Sequence, residues 1–233
     1  MANWTLRSII RGIRTTRWPA KPETSAGVTP GRPVAGPASQ EVIARCPTNA
    51  LSVDVENVNV DFTRCIACGK CRHGPDSLIW RDDFEWAQTA PEAIPLTGRF
   101  RRSLHVRYLD AGACGGCMGE VRLVDAPPYN LHRFGIFITP TPRDADVLLI
   151  AGPVPAAMRD PVRKAYDAMP GPRRVVAMGA CAIDGGVFGE SFASVGGVEH
   201  IVPVDVLLPG CPPPPLAIVH ALLTVTGRAR VPD

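Results

Sequence analysis

The sequence has 233 residues, 45% of them hydrophobic, with 25 lysines and arginines against 22 acidic residues and a formal net charge of +3. That length allows more than one domain, the apolar fraction excludes wholesale disorder, and so mild a charge gives no reason to expect a nucleic-acid partner. No run reaches the roughly 18 apolar residues that span a bilayer, and no uninterrupted apolar leader opens the chain.

Residues 3–18 (NWTLRSIIRGIRTTRW) predict a helix, because Leu6, Ile9, Ile10 and Ile13 recur at three- and four-residue steps while Arg7, Arg11 and Arg14 share the other face. A basic amphipathic helix suits an anionic membrane surface or a partner's groove, or it covers the protein's own surface. Residues 1–20 are read as this docking helix and 21–41 as a Pro/Gly-rich linker without periodicity. Residues 42–100 form a small cysteine-bearing domain and a connector. In it 51–55 and 58–62 are expected to pair as a hairpin around Glu56-Asn57, and 80–100 to lie on the next domain. Residues 101–233 alternate strand and helix: strands at 104–109, 134–138, 147–151, 174–178 and 201–207, helices near 119–125, 155–168 and 213–226. Apolar strands alternating with helices imply a mainly parallel sheet covered on both faces, a doubly wound, flavodoxin-like α/β domain.

All eight cysteines fall into two sets of four. A reducing cytoplasm, where closely spaced cysteines favour metal over disulfides, is the expected setting. The first set is Cys46, Cys65, Cys68 and Cys71. The bacterial ferredoxin run is C-x2-C-x2-C-x3-C-P, and the fourth cysteine of each run ligates the other cluster in two-cluster ferredoxins. Cys65, Cys68 and Cys71 supply three positions of one run, and Cys46-Pro47 the fourth position of a preceding one. The other four positions hold Gly36, Ser39, Val42 and Pro75. The segment thus resembles a two-cluster bacterial ferredoxin reduced to one 4Fe-4S cluster. A four-thiolate zinc site is the alternative. Gly69 is expected to let the loop turn and aim amides at sulfur.

The second set is Cys114, Cys117, Cys181 and Cys211, which follow the first, fourth and fifth strands of the α/β domain. Ligands of open α/β sheets bind beyond the carboxyl ends of the strands, so these loops are expected to converge there. Gly112, Gly115, Gly116, Gly179, Gly185 and Gly186 would let the backbone approach a cluster, and Pro212–Pro215 stiffens the last loop. By spacing alone, zinc would also fit.

The runs DAGACGGCMGE, PRDADVLLIAGPV, GACAIDGGVFG and VPVDVLLPGCPPPP, in this order within 103–226, resemble the small subunit of NiFe hydrogenases. They look most like the membrane-associated, energy-converting type that includes formate hydrogenlyase. The resemblance implies that the second set holds the 4Fe-4S cluster nearest a NiFe centre in a separate large subunit. It also implies further iron–sulfur and membrane-embedded antiporter-like subunits, and a peripheral place on the cytoplasmic face of the membrane. Glu120 matches a family glutamate placed for proton movement; otherwise it is a first-turn carboxylate favoured by the helix dipole. The related quinone-reducing subunit of complex I typically has two adjacent cysteines before that glutamate, whereas here Gly116 precedes Cys117. Residues 4–75 resemble the N-terminal part of the ferredoxin-type subunit of such complexes, so the chain looks like a fusion of two electron-transfer subunits.

Asp110 and Asp184 read as structural, the five histidines (73, 105, 132, 200, 220) share no ligand spacing, and no nucleophile–base pair or phosphate loop stands out. The expected function is electron transfer through two 4Fe-4S clusters to or from a hydrogenase-like large subunit. The alternatives are a complex I-like subunit delivering electrons to quinone and a zinc-stabilised assembly scaffold.

Overall fold

In the computed structural model, residues 7, 9–10, 12–23, 31–37, 39–54, 57–74 and 76–229 are described. Six strands form the main sheet. Five of them are parallel: β6 (Leu104–Asp110), β7 (Ile136–Ile138), β8 (Val147–Ala151), β9 (Arg174–Met178) and β10 (Val206–Leu208). β5 (Gln88–Thr89) adds an antiparallel edge beside β10. The spatial order is β5-β10-β9-β8-β6-β7. Among the parallel strands this is the 2-1-3-4-5 order of flavodoxin-like sheets, with the direction of winding reversing between β6 and β8. Every residue of the central strand β8 is buried, as a strand covered on both faces requires.

Two apolar layers flank the sheet. One includes Leu104, Val106, Leu149, Val176 and Met178 with α2 (Gly116–Leu123) and α5 (Pro215–Val225). The other includes Leu148, Ile150, Val175 and Ala177 with α3 (Arg159–Asp167) and α4 (Ala180–Asp184). Helix α5 is apolar all round, and only Thr224 escapes full burial. Such a helix needs cover on its outer side too. Segment 80–100 helps provide it: Phe84, Trp86, Leu96 and Phe100 are buried in the same cluster, Ala87 N–H donates to His220 Nδ1 (3.2 Å), and Leu96 N–H to the Val225 carbonyl (2.8 Å).

The small unit contains two two-stranded sheets. The expected hairpin is present as β2 (Leu51–Asp54) and β3 (Asn57–Val60), in register from Leu51↔Val60 to Asp54↔Asn57, with 55 and 56 outside the described residues. The other pair was not expected. β1 (Arg32–Ala35) lies inside the stretch read as linker and pairs antiparallel with β4 (Ile79–Arg81). Arg32 then grips Asp83 through two hydrogen bonds, at 2.8 and 2.9 Å. α1 (Gln40–Ala44) precedes Cys46.

The helix expected over 3–18 is not continuous. Arg7, Ile9 and Ile10 are helical, Leu6 and Arg11 lie outside the described residues, and the chain leaves the helix at Gly12. Gly12 adopts φ +64° and donates its N–H to the Ile9 carbonyl, a left-handed glycine stop. Residues beyond it lie along the α/β domain as an arm. Thr16 N–H reaches the Pro128 carbonyl (2.8 Å), Arg133 donates to the carbonyls of Thr16 and Trp18, and Trp18 is buried against Phe84 and His220. Two strands are shorter than expected. Before β7, Leu131–Phe134 is a tight turn closed by Gly135 at φ +68°; before β10, Val198–His200 is another such turn. Helix α4 was not anticipated.

Leu149 is fully buried at the centre of the sheet. Leu149→Ala is expected to cost about 2–5 kcal/mol, measured by chemical unfolding, and a cost near zero would contradict the central place given to β8.

Candidate functional site

Each cysteine set converges on one cavity. Cys46, Cys65, Cys68 and Cys71 line the first, together with Pro33 of β1, Leu51 of β2 and Trp80 of β4. Cys46 follows α1, Cys65 directly follows the 3-10 turn Phe62–Arg64, and Cys71 lies within the next such turn, Lys70–Arg72. Two amides point at sulfur: Ala50 N–H to Cys46 Sγ (3.2 Å) and Ala67 N–H to Cys65 Sγ (3.4 Å). The expected left-handed Gly69 is present at φ +74°, and Ala67 also takes positive φ, +52°. The amides that reach sulfur thus belong to two alanines and not to Gly69.

Burial raises Cys65 to about 11 and pushes Cys71 up, with the Trp80 indole opposing the rise at Cys71 by favouring its thiolate. Trp80 Nε1 is buried and meets no other acceptor, which leaves the Cys71 sulfur as its partner. Two of the positions where a second ferredoxin cluster would need cysteines are filled by packing. Val42 is buried in the small core beside Leu78, and a Cβ on Gly36 would stand 2.4 Å from Leu78 Cδ2. Pro75 lies outside the described residues.

Cys114, Cys117, Cys181 and Cys211 line the second cavity with Ala113, Gly152, Gly179 and Gly210. It sits at the carboxyl edge of β6, β8, β9 and β10, across the switch point. Asp110 shapes the first loop by accepting from the N–H groups of Gly112 (3.0 Å) and Ala113 (2.8 Å). Cys117 lies in the first turn of α2 and Cys181 in α4, while Cys211 follows Gly210 at φ +125°. Space for a side chain is missing where the backbone meets sulfur: a Cβ on Gly179 would lie 3.1 Å from Cys117 Sγ, and one on Gly186 3.1 Å from Cys181 Sγ. Gly152 was overlooked in the sequence. At φ +109°, its added Cβ would stand 2.6 Å from Ala111 O and Ala113 N, so it lets β8 end against the loop that carries Cys114. The available signal was a glycine directly after a strand.

Burial, then the neighbouring thiols of Cys181, Cys211 and Cys114, push Cys117 up to about 12. Burial followed by Cys211 and Cys114 raises Cys181 to about 11, and burial raises Cys211. The four sulfurs therefore sense one another, and ionising them together needs positive charge between them. Among the described residues, no three His, Cys, Asp or Glu side chains are gathered tightly enough to ligate one metal ion. A polynuclear centre places each thiolate on a different metal atom, so eight soft donors lining two cavities suit such a group.

The remaining candidates lie outside these linings. Glu120 is the fifth residue of α2, not a first-turn carboxylate, and burial raises its pKa. None of the five histidines lines either cavity. His220 is buried in the core, and His105 and His132 lie beside Asp146 (3.5 Å) and Asp125 (3.6 Å). Asp184 accepts from Gly186 N–H (3.2 Å) and pairs with Arg64, a partner that the sequence did not reveal.

A family model for the NADH ubiquinone oxidoreductase 20 Kd subunit matches residues 114–225, all within the α/β domain. The uncharacterized protein MJ0516 of Methanocaldococcus jannaschii is 43% identical over 129 residues, which cover 55% of this chain and 86% of that protein. Formate hydrogenlyase subunit 7 of Escherichia coli is 40% identical over 132 residues, covering 57% of this chain; the chain spans only about half, 52%, of that relative's length. Among solved structures, a chain of the membrane-bound sulfane sulfur reductase, an archaeal respiratory membrane complex, is 29% identical, with 55% and 71% of the two chains covered and a TM-score of 0.49.

The raised thiols fix a sign. A thiol kept neutral by the fold contributes stability that is complete below its unfolded value, near 9.0, and is lost as pH climbs through the folded values of about 11 for Cys65 and Cys181 and about 12 for Cys117. Metal-free protein is expected to show a falling urea midpoint from pH 9 upward, and a flat midpoint to pH 12 would contradict these assignments.

Proposed function

Because the chain belongs to the NADH ubiquinone oxidoreductase 20 Kd subunit family, we propose that it is an iron–sulfur electron-transfer subunit of a hydrogenase-like membrane complex. Cys46, Cys65, Cys68 and Cys71 hold one 4Fe-4S cluster, and Cys114, Cys117, Cys181 and Cys211 a second. The observation that carries the reading is the convergence of each set, the second one scattered over almost a hundred residues, on a single cavity. Bound clusters supply one-electron chemistry at potentials set by charge, burial and hydrogen bonds to sulfur.

The protein's own groups provide those settings. The Ala50 and Ala67 amides donate to the Cys46 and Cys65 sulfurs, and a donor to a thiolate makes added negative charge easier to bear. In the second cavity the Cys181 sulfur has the amide of its own residue as donor, and the walls are glycine, alanine and proline. The two sites thus offer different surroundings, which suits two different potentials. In this reading Glu120, three residues after Cys117 and with its carboxyl pKa raised by burial, would carry a proton.

The partners in this reading are a NiFe-hydrogenase-like large subunit, a further iron–sulfur donor or acceptor subunit, and membrane-embedded antiporter-like subunits. Similarity to formate hydrogenlyase subunit 7 supports that setting. Among the described residues no helix is long and apolar enough to cross a membrane, so attachment at the cytoplasmic face would be peripheral. The family's own description supports a second reading, with the same wiring but with quinone as the acceptor. Quinone bound to the purified complex would favour it, and nickel in the large subunit would favour the hydrogenase.

Cys211→Ala in the assembled complex is expected to remove one of two cubane EPR signals and about half the iron, and to abolish electron delivery while the sheet stays folded. Full turnover in that variant would sink the assignment of the second set.

A further inference from the structure

The small unit and the α/β domain meet at a contact that neither cysteine set explains by itself. The turn Phe62–Arg64 runs directly into Cys65 and packs against α4, the helix that carries Cys181. Phe62 anchors the turn. It is buried with its ring 5.1 Å from that of Trp86 in an edge-on arrangement, and the Arg32 guanidinium lies over it at 5.6 Å. Two residues on, Arg64 Nε donates to Asp184 Oδ2 at 3.0 Å. Asp184 Oδ1 in turn accepts from Gly186 N–H at 3.2 Å, and Gly186 closes over Cys181, where an added Cβ would stand 3.1 Å from Sγ. An unbroken series therefore links Cys65 to Cys181 through a peptide bond, the Arg64–Asp184 ion pair and the helix α4, whose end is closed by the Gly185 N–H donating to the Cys181 carbonyl at 3.0 Å.

We propose that Arg64 and Asp184 are positioning residues that fix the separation of the two cysteine cavities. The inference rests on the reading that both cavities hold redox groups, between which transfer weakens steeply with distance. Phe62 sets where the turn sits, and the ion pair sets how far α4 stands from it. A partly exposed ion pair adds little to global stability, so its loss leaves the fold intact while freeing the joint. A bland surface ion pair would tie down only its own two side chains; this one reaches a backbone amide of the loop over Cys181, so loosening is expected on both sides.

The test uses the full chain with its native partners, as wild type, Arg64→Leu, Asp184→Asn and the exchanged pair Arg64→Asp with Asp184→Arg. Amide hydrogen exchange over 62–69 and 180–187 is expected to quicken about two- to fivefold in both segments of each single variant, and in the exchanged pair to return towards wild-type rates over 62–69 alone, because arginine at 184 restores the ion pair but cannot accept from the Gly186 N–H. After reduction with dithionite, the EPR signature of magnetic interaction between the two centres is expected to change in the single variants at unchanged iron content. Faster exchange confined to the substituted segment, or an unaltered EPR line shape with full iron, would overturn the proposal. If wild-type protein carries no iron, the electron-transfer reading fails, and the exchange rates alone still decide whether the joint exists.

Discussion

The second cysteine site depends on one topological constraint: parallel strands all end on the same side of a sheet, and only where winding reverses do neighbouring loops turn away and leave a crevice. Here that reversal lies between β6 and β8. Loops after β6, β9 and β10 bring Cys114, Cys117, Cys181 and Cys211 to it, and Gly152 after β8 leaves room. The apolar layers on both faces of the sheet hold these loop ends at fixed heights. Side-chain bulk would ruin the arrangement, which is why Gly179 and Gly186 lie against sulfur.

The first site is built on another plan. Its cysteines come from one short loop and one residue behind α1, and the strands around them are too few to make a large core. Stability is borrowed from the α/β domain. Phe62 inserts beside Trp86, and Arg32 binds Asp83. The segment between the two units is structural in both directions, since it supplies β4 to the small sheet and β5 with four buried side chains to the large one. The arm ending at Trp18 completes the cover over α5. A chain joined in this way holds its two thiol cavities in one body, where separate subunits would have to dock.

Much of this was legible in the amino-acid order. The Val-, Leu- and Ile-rich runs at 147–151 and 174–178 read as buried parallel strands because both faces are covered, and they lie where expected. The cysteine sets were legible because thiol spacing is a local pattern, even though their meeting depends on the fold. What escaped the reading depends on remote partners. β1 and β5 are four and two residues long and exist only by pairing with β4 and β10. Trp18 read as the end of a surface helix, but Gly12 stops that helix and the indole is buried instead. The alternative for Glu120, a first-turn carboxylate, failed because the start of α2 could not be placed to the residue. The Arg64–Asp184 pair joins residues 120 positions apart, and no local pattern marks such a contact.

The central claim is that eight thiols hold two cubane clusters. Its most direct test is a count of iron, zinc and acid-labile sulfide per chain after anaerobic purification with native partners. The account predicts about eight iron and about eight sulfide atoms and no stoichiometric zinc. About four irons would remove one of the two sites, and zinc in place of iron would contradict the electron-transfer account as a whole.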